Sequence, residues 1–440
     1  MSPYVEFLRM ESRMFVKTHI PEKYPWEVDV SSLEELASAY GWPDFGHKAE
    51  IRSLIHHLPL RDSIEEAPLS RSFSGDIVEE ATKIVSAALT KLPEDFMSRQ
   101  HFDRVVAELD MHSSPGFPYL YEYTNNKALF GVVDGVFSEE RKQAVYDRVV
   151  RRLEDRDSDP IRLFIKPEPH KKTKLEKGQF RLISSVSVID QILDQMIFGE
   201  QNESFLNNYH FTPVKVGWSW MLGGWREVPR ANMLACDKSS WDWTVSAWLI
   251  ELELKVRGNL IVSPLKDYWL DLARWRYKCL FKDNIFVTSG GLVFRVLKPG
   301  LMKSGCVNTI VSNSLMQLLL HVRVSLELGK PIRNLWAMGD DTLQPVMAWG
   351  KDYVMRLSRY CILKECNETS EFAGFRWDGR FIEPIYKAKH AFQILHVKPK
   401  DFDVFALSYN LLYWRSSFLP EIRELFPVPD IGFDRIWDGE

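Results

Sequence analysis

Two pairs of acids in this chain have the spacing and surroundings to do chemistry. The first is Gly339-Asp340-Asp341, adjacent carboxylates behind a glycine. Leu335, Trp336, Ala337 and Met338 lead in and Thr342 and Leu343 lead out, a pattern that predicts a β-hairpin with the acids at its tip. Acids held together at a tight turn repel each other, and a fold keeps such a pair where a cation sits against them. A solvated hairpin turn is the bland alternative for the triplet alone. The second pair is Asp237, which closes the apolar run Met233-Leu234-Ala235-Cys236, with Asp242 five positions on. An acid ending an apolar strand needs a partner. Asp242 also has a structural explanation, because an acid is favoured in the first turn of a helix, which Ser239 or Ser240 can cap.

Three further segments could bind what such acids act on. In residues 162–181, Arg162, Lys166, Lys171, Lys172, Lys174, Lys177 and Arg181 face only Glu168 and Glu176. Phe164 and Ile165 on one side and Phe180, Leu182 and Ile183 on the other predict two strands, which would hold the cations on an ordered hairpin. Phosphates are the natural partners, with Arg181 suited to bidentate contact and the lysines to point-charge contact. Ser304-Gly305-Cys306-Val307-Asn308-Thr309 opens a helix predicted to run to residue 328, with Gly329 and Pro331 as its stop. Asn308 then shares a face with Ser304, and a hydroxyl beside an amide suits a sugar hydroxyl. Finally, Ser113-Ser114-Pro115-Gly116-Phe117-Pro118-Tyr119 reads as a rigid loop able to steer a single strand by backbone contact and stacking, or as a plain connector.

The elements that must position these groups follow from the hydrophobic pattern. Helical patches are expected at 32–40 and 77–92, between turns at Pro43, Pro59, Pro68 and Pro93, and again at 244–254. Val188, Ile192, Met196 and Ile197 mark a buried support helix over 186–205. An aromatic-rich insertion lies between Leu265 and Pro299, and Tyr409, Tyr413, Trp414, Phe418 and Trp437 suit ordinary core packing. With 440 residues, 45% hydrophobic, the chain is long enough for two or three subdomains around sizeable cores. A net charge of −4 argues against a generic basic nucleic-acid coat. The five scattered cysteines suggest neither a disulfide framework nor a zinc site, which fits a reducing compartment. The longest apolar runs are short or broken by charge, and no signal-like segment follows Met1, so membrane association is expected to be peripheral at most.

In their order, Asp237 with Asp242, Ser304-Gly305 with Asn308 and Thr309, and Gly339-Asp340-Asp341 resemble motifs A, B and C of the viral RNA-dependent RNA polymerases of positive-strand RNA viruses. The basic hairpin from Lys166 to Arg181 resembles motif F and residues 113–119 motif G. The helix expected at 352–360 with Lys364 is similar to motif D, and Phe372-Ala373-Gly374-Phe375 to motif E. The resemblance spans roughly residues 110–390. Lys166-Pro167-Glu168-Pro169-His170-Lys171 with Arg181-Leu182-Ile183 looks most like the sobemovirus and related lineage.

This resemblance implies an α+β right-hand fold. Fingers would occupy 1–197 and the insertion 263–299, an antiparallel palm sheet 198–262 and 300–385, and a helical thumb 386–440. It implies template-directed nucleotidyl transfer from ribonucleoside triphosphates to an RNA 3′ hydroxyl. Asp237, Asp340 and Asp341 would carry two Mg²⁺ ions, with Mn²⁺ as a substitute. Asp242, Ser304 and Asn308 would bind the ribose 2′ hydroxyl, with Gly305 and Thr309 in the same substrate site. Lys166 and Arg181 would hold the triphosphate, Lys364 would protonate the leaving pyrophosphate, and Ser113, Ser114 and Gly116 would touch the template. The implied partners are template and nascent RNA and the nucleotides, with room for a genome-linked protein primer or other viral replication proteins. The implied location is the host cytoplasm, at viral replication complexes. Two rivals remain: a reverse transcriptase, which also pairs a strand-end acid with a two-Asp hairpin, and a catalytically silent RNA-binding replication protein.

Overall fold

The helix Thr309–Glu327 is buried along most of its length, residues 311–325 all being buried. A helix buried on every side belongs in a core, and this one is packed by the helices Arg71–Ile84, Ala247–Leu260 and Gly350–Leu357 and by the strand Trp336–Met338. The computed structural model describes residues 3–16, 20–66 and 69–440; the turn expected at Pro68 and the region directly after Met1 lie outside the described residues. The predicted stop is made: Gly329 is left-handed at φ +61, and the Gly329 and Lys330 amides donate to the Leu326 and Ser325 carbonyls. The predicted start is not. The helix begins at Thr309, and Ser304 lies in the turn before it. The reason is that Ser304-Gly305 runs against the strand Leu182–Ser185, with the Gly305 amide donating to the Ser184 carbonyl at 3.0 Å, which holds the backbone extended there.

Two sheets matter for the site. A four-stranded antiparallel sheet orders Leu363–Asn367, Met233–Lys238, Asp341–Pro345 and Trp336–Met338. A five-stranded sheet orders Val5–Met10, Leu292–Val296, Ile285–Val287, Ile161–Ile165 and Leu182–Ser185. Its last two strands are the expected basic hairpin, and its middle hairpin comes from the 263–299 insertion. Val5–Met10 went unforeseen: it is an edge strand whose Glu6, Arg9 and exposed Phe7 break the alternation that marks a half-buried strand.

Other expectations need correction. The helix over 244–254 is two helices, Trp241–Thr244 and Ala247–Leu260, separated by extended Val245. There Gly300 (φ +112) comes so close that a Cβ would strike the Val245 carbonyl, and the break makes that approach possible. Ser240 is left-handed (φ 51) and makes no side-chain capping bond. The helix Ser31–Ala37 and Tyr40, within the 1–197 span, share a core with Ala391, Leu395, Tyr409 and Phe426 of the C-terminal helices. The tail aromatics pack as expected, with Trp437 filling a core that includes Trp220 and Phe375. The cysteines, scattered in sequence, include one adjacent pair, Cys236 and Cys366, with sulfurs 2.8 Å apart on neighbouring strands. No described helix is long and apolar enough to cross a membrane.

His321 ties the central helix to its surroundings. Its Nε2–H donates to the Arg333 carbonyl at 2.9 Å, so Nδ1 accepts from the Tyr353 hydroxyl at 2.7 Å. Burial lowers its pKa to about 4, and His57 and His390 are likewise lowered to about 4 by burial. The unfolded chain takes up these protons near pH 6.5 and the folded chain only near 4, so stability falls as pH drops across that window. His321→Gln should flatten the acid limb of the stability curve by up to about 3 kcal/mol at pH 4 relative to its value at pH 7.5. Urea melts at both pH values would show it, and parallel curves for the two proteins would contradict it.

Candidate active site

Antiparallel pairing brings the acids together. Thr342 pairs with Cys236 across the strands Met233–Lys238 and Asp341–Pro345, and one step further the ladder brings Asp341 level with Asp237. Asp340 sits on the turn between Trp336–Met338 and Asp341–Pro345, beside left-handed Gly339 (φ +63), whose amide donates to the Ser314 hydroxyl of the central helix at 2.9 Å. On the other flank the register shifts between Leu363 and Glu365. Lys364 lies at this bulge, the kind of irregularity that re-aims a side chain, and its Nζ donates to Asp237 Oδ2 at 2.5 Å. Asp237, Asp341, Thr342 and Lys364 line an open cleft of about 740 Å³.

The carboxylates are crowded. Burial and then the charges of Asp340 and Asp237 push Asp341 up to about 7. Burial also raises Asp340, with Asp237 adding to the rise and Lys238 opposing it. Lys238, adjacent to Asp237 but on the opposite face of the strand, is buried, with Nζ donating to Thr342 Oγ1 at 2.6 Å. Burial pulls the Lys364 amine down, but its bond to Asp237 outweighs this and holds the ammonium above its ordinary value.

Carboxylate oxygens are the right donors for a hard divalent ion. Among the described residues no three His, Cys, Asp or Glu side chains form a ready-made cage. Mg²⁺ keeps several waters and binds through one or two carboxylates plus substrate phosphates. Asp237 already holds one cation, the Lys364 ammonium. Asp237, Asp340 and Asp341 therefore fit such an ion.

Across the cleft, the basic hairpin converges on a single acid. Glu168 pairs with Arg181 at 2.5 Å, Lys166 at 3.2 Å and Lys389 at 3.0 Å. Burial alone would raise Glu168, but the three cations outweigh it and hold it down at about 2. Lys389, on the helix Lys387–Leu395, was not foreseen because it lies more than 200 residues from the basic run. His170 fixes the hairpin by accepting the Arg181 amide at Nε2 and donating from Nδ1 to the Glu168 carbonyl.

The amide expected opposite Asp242 is the main correction. Asn308 is buried and its Oδ1 accepts from Asn202 at 2.9 Å. The amide that meets Asp242 belongs to Asn313, whose Nδ2 donates to Asp242 Oδ1 at 3.1 Å while its Oδ1 accepts from Trp241 Nε1 at 2.9 Å. Asn308 fails because the helix starts five residues later than expected, so Ser304 and Asn308 do not share a helical face. Asn313, one turn beyond Thr309, could have been found from that spacing. Burial pushes Asp242 up to about 6 against the Asn313 bond, with Asp340 adding to the rise.

The other residues of this segment are engaged in structure. Ser304 Oγ accepts the Ser184 amide at 3.1 Å, which leaves its own proton free to donate. Gly305 is required because a Cβ would strike the Ser184 carbonyl oxygen. The Thr309 hydroxyl bonds to the Lys303 and Cys306 carbonyls.

The loop at 113–119 also differs from expectation. Phe117 is buried with Met14, Val287 and Val293, and Tyr119 lies beneath Arg148, so the rings are not free platforms for stacking. Gly116 (φ +73) is buried against the start of the helix Val188–Asn207 and serves close packing rather than contact with a strand. Ser113 and Ser114 remain exposed, with Ser113 donating to Asp110 and Ser114 accepting the Gly116 amide.

With this geometry in view, the family model described as viral RNA-dependent RNA polymerase matches residues 73–343. Curated relatives include the replicase polyprotein P2AB of Cocksfoot mottle virus, 30% identical over 344 residues that are 72% of this chain and 35% of that protein. Protein P1-P2 of Pea enation mosaic virus-1 is 28% identical over 77% of this chain and 31% of its own length. Protein P2-P3 of Poinsettia latent virus is 27% identical over 89% of this chain and 38% of its own length. The chain thus spans about a third of the length of these relatives, and the narrower likeness to the sobemovirus lineage holds.

Crowded acids cost stability when nothing neutralises them. Asp341 titrates near 7 in the fold and near 3.9 unfolded, so the stability it allows at low pH is lost as pH rises from about 4 to about 7. In EDTA, Asp341→Asn should therefore match wild type at about pH 3.5 and exceed it by about 1–2 kcal/mol at pH 8, after solvent screening is allowed for. Mg²⁺ should raise the wild-type Tm at pH 8 more than that of the variant. Thermal melts at the two pH values test this, and an Asn variant less stable at pH 8 would contradict it.

Proposed function

The chain belongs to the viral RNA-dependent RNA polymerases, and we propose that it copies an RNA template by transferring nucleotidyl groups from ribonucleoside triphosphates to an RNA 3′ hydroxyl. The observation that carries this reading is the cleft in which Asp237 and Asp341, with Asp340 beside them on the turn, face Arg181 and Lys389, two of the cations that Glu168 holds. Asp237 and Asp340, with Asp341 as auxiliary, would hold divalent ions, which when bound polarise the phosphate and stabilise attacking and leaving oxygens.

The chain's own residues do the rest. Arg181 and Lys166 turn from Glu168 to the triphosphate and neutralise it, with no reference to the base. Lys364 carries a proton at Nζ beside the acids, where a leaving pyrophosphate can take it. Asp242 and Asn313 read the ribose 2′ hydroxyl: the amide fixes Asp242 at one oxygen and leaves the other for the sugar. Ser304 offers its free proton to the same site, while Gly305 and Thr309 shape the turn that presents it. Ser113 and Ser114 contact the template.

In this reading the four-stranded sheet is the palm, the five-stranded sheet belongs to the fingers, and the C-terminal helices form the thumb. The products serve replication of a viral RNA genome in the host cytoplasm, at replication complexes that include other viral proteins. The word replicase in the names of relatives supports that context.

Asp237→Ala and Asp340→Ala should each abolish Mg²⁺-dependent primer extension while leaving template affinity nearly unchanged, since phosphate contacts lie elsewhere. Retained turnover in Asp340→Ala would overturn the assignment. Asn313→Ala should lower the ratio of kcat/KM for ATP over dATP by roughly ten to a few hundredfold, because a buried partner is left unpaired only with the ribonucleotide. Asn308→Ala, which removes no group that meets Asp242, should lower that ratio far less than Asn313→Ala does. A wild type preferring dATP would favour the reverse transcriptase instead.

A further inference from the structure

Behind the sugar-reading pair lies a charged cluster that plays no part in the chemistry above. Arg257 and Glu253, both on the helix Ala247–Leu260, are 0% and 1% exposed and form an ion pair at 2.5 Å. Nothing about this pair is loose. Glu253 Oε2 accepts from the Tyr277 hydroxyl at 2.6 Å and Oε1 from the Ser312 hydroxyl at 2.7 Å. Arg257 Nη1 donates to Gln201 Oε1 at 2.9 Å and to Asn202 Oδ1 at 3.0 Å, and Nη2 to Ser312 Oγ at 3.1 Å. Asn202 in turn donates to Asn308 Oδ1.

A buried ion pair is poor evidence for stability, since removing two charges from water costs about as much as their attraction returns. What such a pair can supply is register. Arg257 grips the central helix at two points one turn apart: directly at Ser312, and through Asn202 at Asn308. Two grips four residues apart on one face fix how the helix is rolled about its axis. Asn313, next to Ser312, is displaced from that face by ~100° and lies on Asp242. A roll of roughly 20° would move a side-chain head at a radius of ~5 Å by about 2 Å, enough to break the 3.1 Å bond between Asn313 and Asp242.

We propose that the buried pair of Arg257 and Glu253 is a positioning device for sugar selection: by gripping Ser312 and, through Asn202, Asn308, it sets the roll of the helix Thr309–Glu327 that places the Asn313 amide on Asp242. The inference rests on the reading of Asp242 and Asn313 as the ribose contacts. Neither Arg257 nor Glu253 touches substrate.

Ser312→Ala is the informative variant, because it cuts the direct grip, removes only a hydroxyl and leaves the ion pair and Asn313 in place. Asn202→Ala cuts the other grip. For wild type, Asn313→Ala, Ser312→Ala, Asn202→Ala and Ser312→Thr, kcat/KM would be measured for ATP and dATP on one RNA template, with a thermal melt for each protein. Ser312→Ala and Asn202→Ala should each lower the ATP-to-dATP ratio by about three- to tenfold, chiefly through KM for ATP, with dATP kinetics nearly unchanged. Ser312→Thr, which keeps the hydroxyl, should retain the wild-type ratio. A merely structural role would reduce both nucleotides alike, and that result overturns the proposal. If Asn313→Ala lowers the ratio and the Ser312 and Asn202 variants do not, the positioning role is wrong while the sugar reading stands. If Asn313→Ala leaves the ratio unchanged, the sugar reading itself fails and this inference goes with it.

Discussion

Like charges set the terms for this molecule. Antiparallel pairing of Met233–Lys238 with Asp341–Pro345 brings Asp341 beside Asp237, with Asp340 next to them on the turn, and burial and mutual repulsion raise Asp340 and hold Asp341 near 7. A chain left to minimise its own energy would separate them. Several features instead hold them in place: the Lys238 ammonium behind the sheet, the Lys364 ammonium on Asp237, and the Ser314 hydroxyl that receives the Gly339 amide at the turn. The arrangement makes physical sense as a site waiting for cations and phosphates, with arginine and lysine on the facing hairpin held by Glu168 until an anion of higher charge arrives.

The central helix joins the separate parts of the site. Three consecutive residues point in three directions, as ~100° per residue requires. Ser312 meets the buried Arg257 and Glu253, Asn313 meets Asp242 and Trp241, and Ser314 meets the acid turn. Asp242 and the acid turn are thereby referred to one rigid element, a helix buried over residues 311–325. At its N-terminal end, Ser304-Gly305 docks on the Ser184 backbone, so the basic hairpin is referred to the same element.

What could be read in advance was what local pattern encodes. The acid turn, the strand ending near Asp237, the basic hairpin and the helix stop at Gly329 each follow from a short apolar pattern with glycine or charge at its edge, and each is present. The sugar contact was misplaced because the helix was assumed to begin at Ser304. Its true start depends on a tertiary contact, the docking of Gly305 on Ser184, that no local rule foresees. Lys389 was missed for the same reason, and so was the packing of the expected helix Ser31–Ala37 on the C-terminal helices: their partners lie hundreds of residues away. The loop at 113–119 was read for its composition, and burial of Phe117 and Gly116 decided otherwise.

The central claim is that Asp237 and the Asp340-Asp341 turn form one cation site on the floor of the cleft. Crystals of the protein soaked in Mn²⁺ with a non-hydrolysable ribonucleoside triphosphate would test it most directly, through anomalous scattering at the manganese edge. The account predicts anomalous peaks within coordination distance of Asp237 and Asp340, about 2.0–2.3 Å from carboxylate oxygens, with Lys364 displaced from Asp237. Manganese bound elsewhere while Lys364 still holds Asp237 would contradict it.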